Sequence, residues 1–204
     1  MSSRSYAGET SAARDDRRRR QLLAAGLDIF GSVGFRAATV RGVCRQAKVA
    51  DRCFYDQFPA LEDLLLAVYA ECVETLMSAV ITELAALPSD ADTAAQARHG
   101  LDAFFRVSED PLLARVVWLE VLGVSRRVDE LYLETLNRFG DLLAAQIDLD
   151  PSAGDDERRV LMTSAVGGIR QVGTAWLIEG YRTDRAVLVS ASARILVAIA
   201  DSLR

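Results

Sequence analysis

Apolar residues in this chain recur at intervals of three and four, and nowhere do they alternate with period two for long enough to make a strand. Residues so spaced fall on one face of a helix, whereas the pleat of a strand would send every second one to water. The fold class this predicts is all-α. From Arg14 onward Leu22, Gly26, Ile29, Phe30 and Val33 share a face, and Gly31 and Gly34 close that first helix. Thr39 is an N-cap, followed by Val40, Val43, Cys44 and Ala47 at helical spacing over two turns. After a break at Lys48 and Val49 another short helix occupies about 50 to 57. A longer helix followed by two short ones across a tight turn makes a helix-turn-helix unit.

Pro59 interrupts the chain, and Leu61 to Leu87 then reads as one long apolar-rich helix without glycine or proline. Pro88 with "SDAD", Asp110-Pro111 and "DPSAGDD" at 150 to 156 mark loops. Between and after them lie helical patterns near 93 to 108, 111 to 127, 128 to 148, 156 to 181 and 185 to 203, about nine helices in all. The expected organisation is a disordered leader over 1–13, a three-helix helix-turn-helix domain over 14–60, and a larger helical domain over 61–204.

Half of the 204 residues are apolar and 26% are charged, ample for a buried core. There is no run of 18 uninterrupted apolar residues and the first twenty residues hold arginines, so neither a membrane span nor a secretory signal is expected and the protein is placed in the cytoplasm. Cys44, Cys53 and Cys72 are an odd number without C-x-x-C spacing, which suits free thiols. The net charge of −5 conceals an asymmetry. Residues 1 to 58 carry eleven Arg and Lys against six Asp and Glu, while the remainder carries 13 against 23. A basic quarter on an acidic body is what one expects when only one end approaches phosphates.

The last two helical segments are apolar on more than one face. In the first, Leu161, Ala165, Ile169, Val172 and Trp176 form one stripe and Val166, Gly173 and Leu177 another; in the second, Leu188, Ile195 and Ile199 are joined by Val189, Leu196 and Leu203. A helix apolar nearly all round must be covered on both sides. A second copy of the chain is the expected cover, with Gly167, Gly168 and Gly173 permitting close approach of backbones, so the last two helices are read as a homodimer interface.

The segment "KVADRCFYDQF", residues 48 to 58, carries the functional reading. A two-turn helix is marginal alone. Phe54 and Phe58 anchor one face, leaving Arg52, Cys53, Tyr55 and Gln57 outward, with Thr39 and Arg41 on the same side. Arginine reads guanine bidentately, glutamine pairs with adenine, and tyrosine hydroxyls donate to phosphates, so this surface suits a major groove of double-stranded DNA.

The stretch "RRRQLLAAGLDIFGSVGFRAATVRGVCRQAKVADRCFYDQFPALEDLLLAVY", residues 18 to 69, resembles the DNA-binding domain of TetR-family transcriptional regulators. The matching features are a long first helix ending in a Gly-Phe turn, a Thr-Val-Arg opening to the second helix and a Phe-Tyr-x-x-Phe ending to the third. The resemblance implies a homodimeric regulator, usually a repressor, bound to a palindromic operator and released by a small-molecule effector. Carried over residue by residue, it implies phosphate contacts for Thr39 and Tyr55 and groove-facing positions for Arg41, Arg52, Cys53 and Gln57. This sequence departs from the pattern at Lys48, where glycine is usual and where the charge near DNA is a compensation, and at Cys53, where threonine is common. It departs again at Ala50 in place of a capping serine, leaving Asp51 as the expected cap, and at Leu61 in place of a phosphate-binding lysine. Contacts to the DNA backbone then lean on the arginines at 14 and 17 to 20.

For the effector, the middle helices mix aromatic and polar residues: Phe104, Phe105, Trp118, Glu120, Tyr132 and Trp176. A cavity among them suits a small hydrophobic or amphipathic molecule. No enzyme, cofactor or metal site is expected, since the single histidine, His99, has no Glu-x-x-His partner and no Gly-x-Ser-x-Gly elbow, phosphate loop or dinucleotide turn occurs. The alternative is a helix-turn-helix module that binds another protein, an option the altered positions 48, 50 and 61 keep open.

Overall fold

The computed structural model describes residues 10–146 and 154–203. The leader over 1–9 and residues 147–153, including most of the "DPSAGDD" loop, lie outside the described residues. Among the described residues all regular structure is helical. The chain divides into two compact units between Val68 and Tyr69.

The first unit opens with α1 (Ser11–Ser32), which begins three residues before the arginine-rich stretch because Thr10 caps it, its hydroxyl oxygen accepting from the Ala13 amide. The Val33 and Gly34 amides both close onto the Ile29 carbonyl, and Gly34 takes φ 92°, a value that a side chain resists. A 3-10 turn (Phe35–Ala37) leads to α2 (Val40–Ala47), capped by Thr39 as its position foretells. Then comes α3 (Asp51–Tyr55), only five residues long. Leu22, Phe30, Val43, Phe54 and Leu64 are fully buried. Helix α1 packs on α4 (Leu61–Ala85) at Gly26, where a β-carbon would stand 2.9 Å from the Val68 side chain.

Helix α4 runs through the boundary. It is long and apolar enough to cross a membrane by length and composition, yet half of that apolar window is buried inside the protein. Its buried side chains run from Leu64 and Leu65 through Val73 and Leu76, as in a core helix.

The second unit continues with α5 (Thr93–Val107), α6 (Pro111–Trp118), α7 (Arg126–Ala144), α8 (Asp155–Ile178) and α9 (Arg185–Ser202). Asp92, Asp110, Ser125 and Asp184 cap α5, α6, α7 and α9, each accepting from first-turn amides. The helix expected over 111–127 stops at Trp118. Gly123 adopts φ 71° and its amide donates to the Asp129 carboxylate, which sets α7 going at Arg126, two residues earlier than its apolar pattern suggested. Helix α8 ends at Ile178 rather than 181, because Gly180 and Tyr181 both turn left-handed.

Helix α5 lies along α9, and α8 packs on both α7 and α6. One core cluster gathers Leu101 and Phe105 of α5, Trp176 of α8, and Leu188 and Leu196 of α9. Its polar atoms are paired within the chain: the Trp176 indole donates to the Thr183 carbonyl at 2.7 Å and the Tyr181 hydroxyl to the Ser108 carbonyl at 3.0 Å. Gly173, read from the sequence as a site of close approach between two copies, instead faces the Trp118 ring of its own chain, where a β-carbon would stand 2.7 Å from the indole. Gly167 and Gly168 have open space beyond them. Because Trp118 is 2% exposed and held on all sides, Gly173→Ala should destabilise the protein by about 1–3 kcal/mol despite alanine's better helix propensity, read as a lower urea midpoint.

Candidate nucleic-acid interface and effector cavity

Five residues are too few for a helix to persist on backbone hydrogen bonds, so α3 depends on its side chains. Phe54 is 0% and Phe58 3% exposed, with ring centroids 5.9 Å apart. The guanidinium of Arg19, from α1, lies 4.6 Å above the Phe58 ring, a cation-π contact that the sequence pattern did not reveal. Gln46 of α2 donates to the Asp28 carboxylate of α1 at 3.1 Å. Helices α1 and α2 thus hold α3 from behind.

What remains on the outside is the set expected to read DNA. Arg52 is exposed, Tyr55 is 60% exposed and leans edge-on against Phe54, and Cys53 and Gln57 are half-buried. Arg41 is exposed in the first turn of α2, and its Nε stands 3.8 Å from the Asp51 carboxylate at the start of α3, which brings the beginnings of the two helices side by side. An exposed pair of this kind contributes little and releases its guanidinium readily. Thr39 spends its oxygen on the Gly42 amide at 3.1 Å, while its hydroxyl proton stays available to an acceptor such as phosphate. Of the arginines at 14 and 17 to 20, Arg14, Arg17, Arg19 and Arg20 are exposed; Arg18 is half-buried and bonds Asp15 at 3.5 Å.

Two of the departures acquire a geometry. Lys48 has φ 56° and ψ 42°, the left-handed conformation that glycine adopts freely. Ala50 holds the cap position of α3 without any side-chain bond, and Asp51 is the first helical residue rather than the cap expected from the sequence. The Asp51 carboxylate instead meets the buried Cys44 thiol, which burial first and the Asp51 charge second push up to about 11. Leu61, the first residue of α4, is half-buried.

The second unit holds an apolar cavity of about 110 Å³. Phe104, Trp118 and Tyr132 line it; Phe105, Glu120 and Trp176 are not among its lining residues. Phe105 points to the opposite side of α5, into the core, edge-on to Trp176 at 5.9 Å. The Glu120 carboxylate is bound to Arg115 at 2.8 Å. Phe104 and Phe105 are neighbours on the inner side of α5, and sequence spacing alone does not tell which of them borders a cavity.

The lining also includes Tyr69, Phe139 and Arg170, which sequence reasoning passed over. Burial pushes the Tyr69 phenol up to about 12, and it raises Tyr132 as well, with the Arg170 charge working against both shifts. Arg170 donates through one terminal nitrogen to the Trp118 carbonyl at 2.9 Å and stands 5.4 Å from the centre of the Tyr132 ring. The signal was present in the sequence: Arg170 is the sole cation among the otherwise apolar or neutral residues 160–178 of α8.

Residues 22–68 match the family model described as "Bacterial regulatory proteins, tetR family". No curated protein matches the sequence. Among solved structures, the chain is similar to the fatty acid degradation regulator FadR from Bacillus halodurans (TM-score 0.72, 20% identity, covering 88% of this chain and 94% of that one). It is similar to FadR from Bacillus subtilis in complex with stearoyl-CoA (TM-score 0.72, 19% identity, 88% and 97%) and to a tetR-family transcriptional regulator from Streptomyces coelicolor (TM-score 0.74, 16% identity, 90% and 80%). At such identities the likeness establishes the fold.

The left-handed lysine yields a test that separates stability from binding. Lys48→Gly should raise stability by about 1 kcal/mol, seen as a higher urea midpoint, because the steric penalty at φ 56° disappears. If the face reads DNA as expected from the sequence, the same change should weaken that binding, since a cation is lost.

Proposed function

From the membership of residues 22–68 in the tetR family of bacterial regulatory proteins, we propose that this chain is a cytoplasmic, homodimeric transcriptional regulator that acts by binding and not by catalysis. It is a repressor that sits on a palindromic operator and leaves it when a small hydrophobic or amphipathic effector fills the cavity of the second unit. The observation that carries this reading is the division of labour on α3: Phe54 and Phe58 are wholly buried while Arg52 and Tyr55 stand exposed beside Arg41.

Each residue has a task in this reading. Arg41 and Arg52 address base edges, Thr39, Lys48 and Tyr55 address phosphates, and Cys53 and Gln57 flank the groove contacts. The proposed organisation keeps the DNA-binding domain at 14–60 and the effector and dimer functions at 61–204. The B. subtilis FadR complex with stearoyl-CoA makes an amphipathic effector a natural expectation here as well. A volume of about 110 Å³ lies below the 300–1,000 Å³ of ordinary ligand sites, so a large effector must push the walls apart, and that displacement is the device by which it acts.

Dimerisation is assigned to α8 and α9. Val172 and Ile178 on α8 and Val187 and Ile195 on α9 are exposed apolar residues, and Gly168 offers unobstructed backbone. Such a face calls for a partner, and a second copy supplies one under two-fold symmetry. Ile195→Glu should convert the protein to a monomer at micromolar concentration in sedimentation velocity, with the helical circular dichroism unchanged.

A second reading, a module for a protein partner, is favoured by Ala50, which leaves α3 uncapped, and by Asp51, which puts a carboxylate among the arginines. Salt distinguishes the two. Selected operator fragments should lose affinity by about a thousandfold or more between 50 and 200 mM salt if several phosphates are neutralised. Arg41→Ala and Arg52→Ala should each cost about 1–3 kcal/mol and relax sequence preference, whereas Tyr55→Phe should weaken all sequences alike. Parental affinity in both arginine variants would sink the reading face proposed here.

A further inference from the structure

The cavity is long rather than round. Tyr132, Thr135, Leu136, Phe139, Leu142 and Leu143 of α7 all line it, and Gln146 joins them just beyond the end of that helix. Their spacing traces one stripe, and the eleven steps from Tyr132 to Leu143 cover about 17 Å of helix. A volume of about 110 Å³ drawn out over such a length makes a narrow slot. A slot of that shape admits an unbranched chain more easily than a fused or branched ring system.

One cation lies in the wall of this slot. The Arg170 Nε–H is buried and has no hydrogen-bond acceptor, although the terminal nitrogen of the same guanidinium is satisfied by the Trp118 carbonyl. Among the described residues no carboxylate pairs with Arg170, whereas Arg115 and Arg138 of the same unit each have one and Arg185 has two. The residue as a whole is half-buried, but a buried donor left unused on a cation with no anion beside it is costly to hold in an apolar wall unless something arrives to complete it. Its neighbours Tyr132 and Tyr69 are phenols that burial keeps protonated, and they place no negative charge there.

We propose that the slot binds an unbranched aliphatic monocarboxylate, its carboxylate received by Arg170 and its chain extended along α7. The inference rests on the effector reading of this cavity and names the effector's chemical class. A carboxylate oxygen completes the Nε–H, and the ligand's charge neutralises the guanidinium. Leu136, Phe139 and Leu143 cover the chain with apolar surface. The guanidinium that takes the carboxylate also holds the last carbonyl of α6, so occupation of the slot acts directly on the C-terminal end of that helix.

The test is calorimetric titration of the purified full-length protein, without DNA, with octanoate, decanoate and dodecanoate below their micelle concentrations. Decanamide, 1-decanol, decanoyl-CoA and phenylacetate serve as comparisons. The expected result is that decanoate binds about 10- to 100-fold more tightly than the amide and the alcohol, the range for one hydrogen bond to a charged group. Arg170→Met should erase that preference while retaining the weaker binding of the alcohol. Should that variant not fold, carboxyl-13C decanoate on the parent protein decides: its bound carbon signal should stay that of an ionised carboxylate at pH values where the free acid protonates. Equal binding of acid, amide and alcohol would overturn the proposal, as would binding of decanoyl-CoA without the free acid, of phenylacetate alone, or of no acid at all. Operator release by the same acids is scored separately. Binding without release would leave the ligand class standing and remove the repressor mechanism, and the converse holds for a protein that binds operator yet ignores every acid.

Discussion

Everything on the proposed reading face depends on the burial of two phenyl rings. Phe54 and Phe58 each withdraw roughly 150 Å² or more from water, and at about 25 cal/mol per Å² that is several kcal/mol holding a helix of five residues. Without them α3 has too few backbone hydrogen bonds to outlast its own entropy. The cation-π contact of Arg19 on Phe58 and the Gln46–Asp28 bond tighten the same assembly from α1 and α2. On the proposed reading rigidity there serves function, because side chains that present themselves to base edges must already be in place before the partner arrives.

The second unit obeys a different constraint, which is close packing around a space left open. Gly173 lets the Trp118 ring lie against the backbone of α8, and Arg170 one turn earlier binds the Trp118 carbonyl, so α6 is held to α8 at two adjacent points. Aromatic rings then pack in two chains on the two sides of α5: Phe104 edge-on to Phe139 and tilted against Trp118, and Phe105 edge-on to Trp176, which in turn meets Tyr181 edge-on. One chain borders the slot and the other seals the core. A cavity bounded by stiff aromatic walls changes its neighbours when filled, because packed cores switch between arrangements rather than deform smoothly.

Charge is distributed to match. The excess of cations lies in the first 58 residues, where Arg41, Arg52 and Lys48 are solvated and only weakly engaged. In the rest of the chain the arginines are mostly tied to carboxylates, as Arg185 is to Asp102 and Glu109 at 3.0 Å each. Arg170 breaks that pattern, and its buried, unanswered Nε–H marks the slot as chemically specific and not merely apolar.

By itself, the sequence determined the helical class, the positions of nearly every helix, the Thr39 cap, the break at Lys48 and Val49 and the split of Phe54 and Phe58 from Arg52 and Tyr55. These follow from local rules: a 3.6-residue period, a side-chain oxygen at an N-cap, and a ring that must leave water. Tertiary structure alone decided that α6 stops at Trp118, that Asp51 opens α3 without capping it, and that Gly173 serves an indole of its own chain. It also decided which of two adjacent phenylalanines, Phe104 or Phe105, faces the slot, and it brought Arg170 to Tyr132 and Trp118 from distant parts of the chain. Apolar periodicity separates the inner side of a helix from its outer side but does not say which part of the inner side meets a cavity, and no local pattern states which distant carbonyl a guanidinium will find. Those outcomes exist only once the helices are packed.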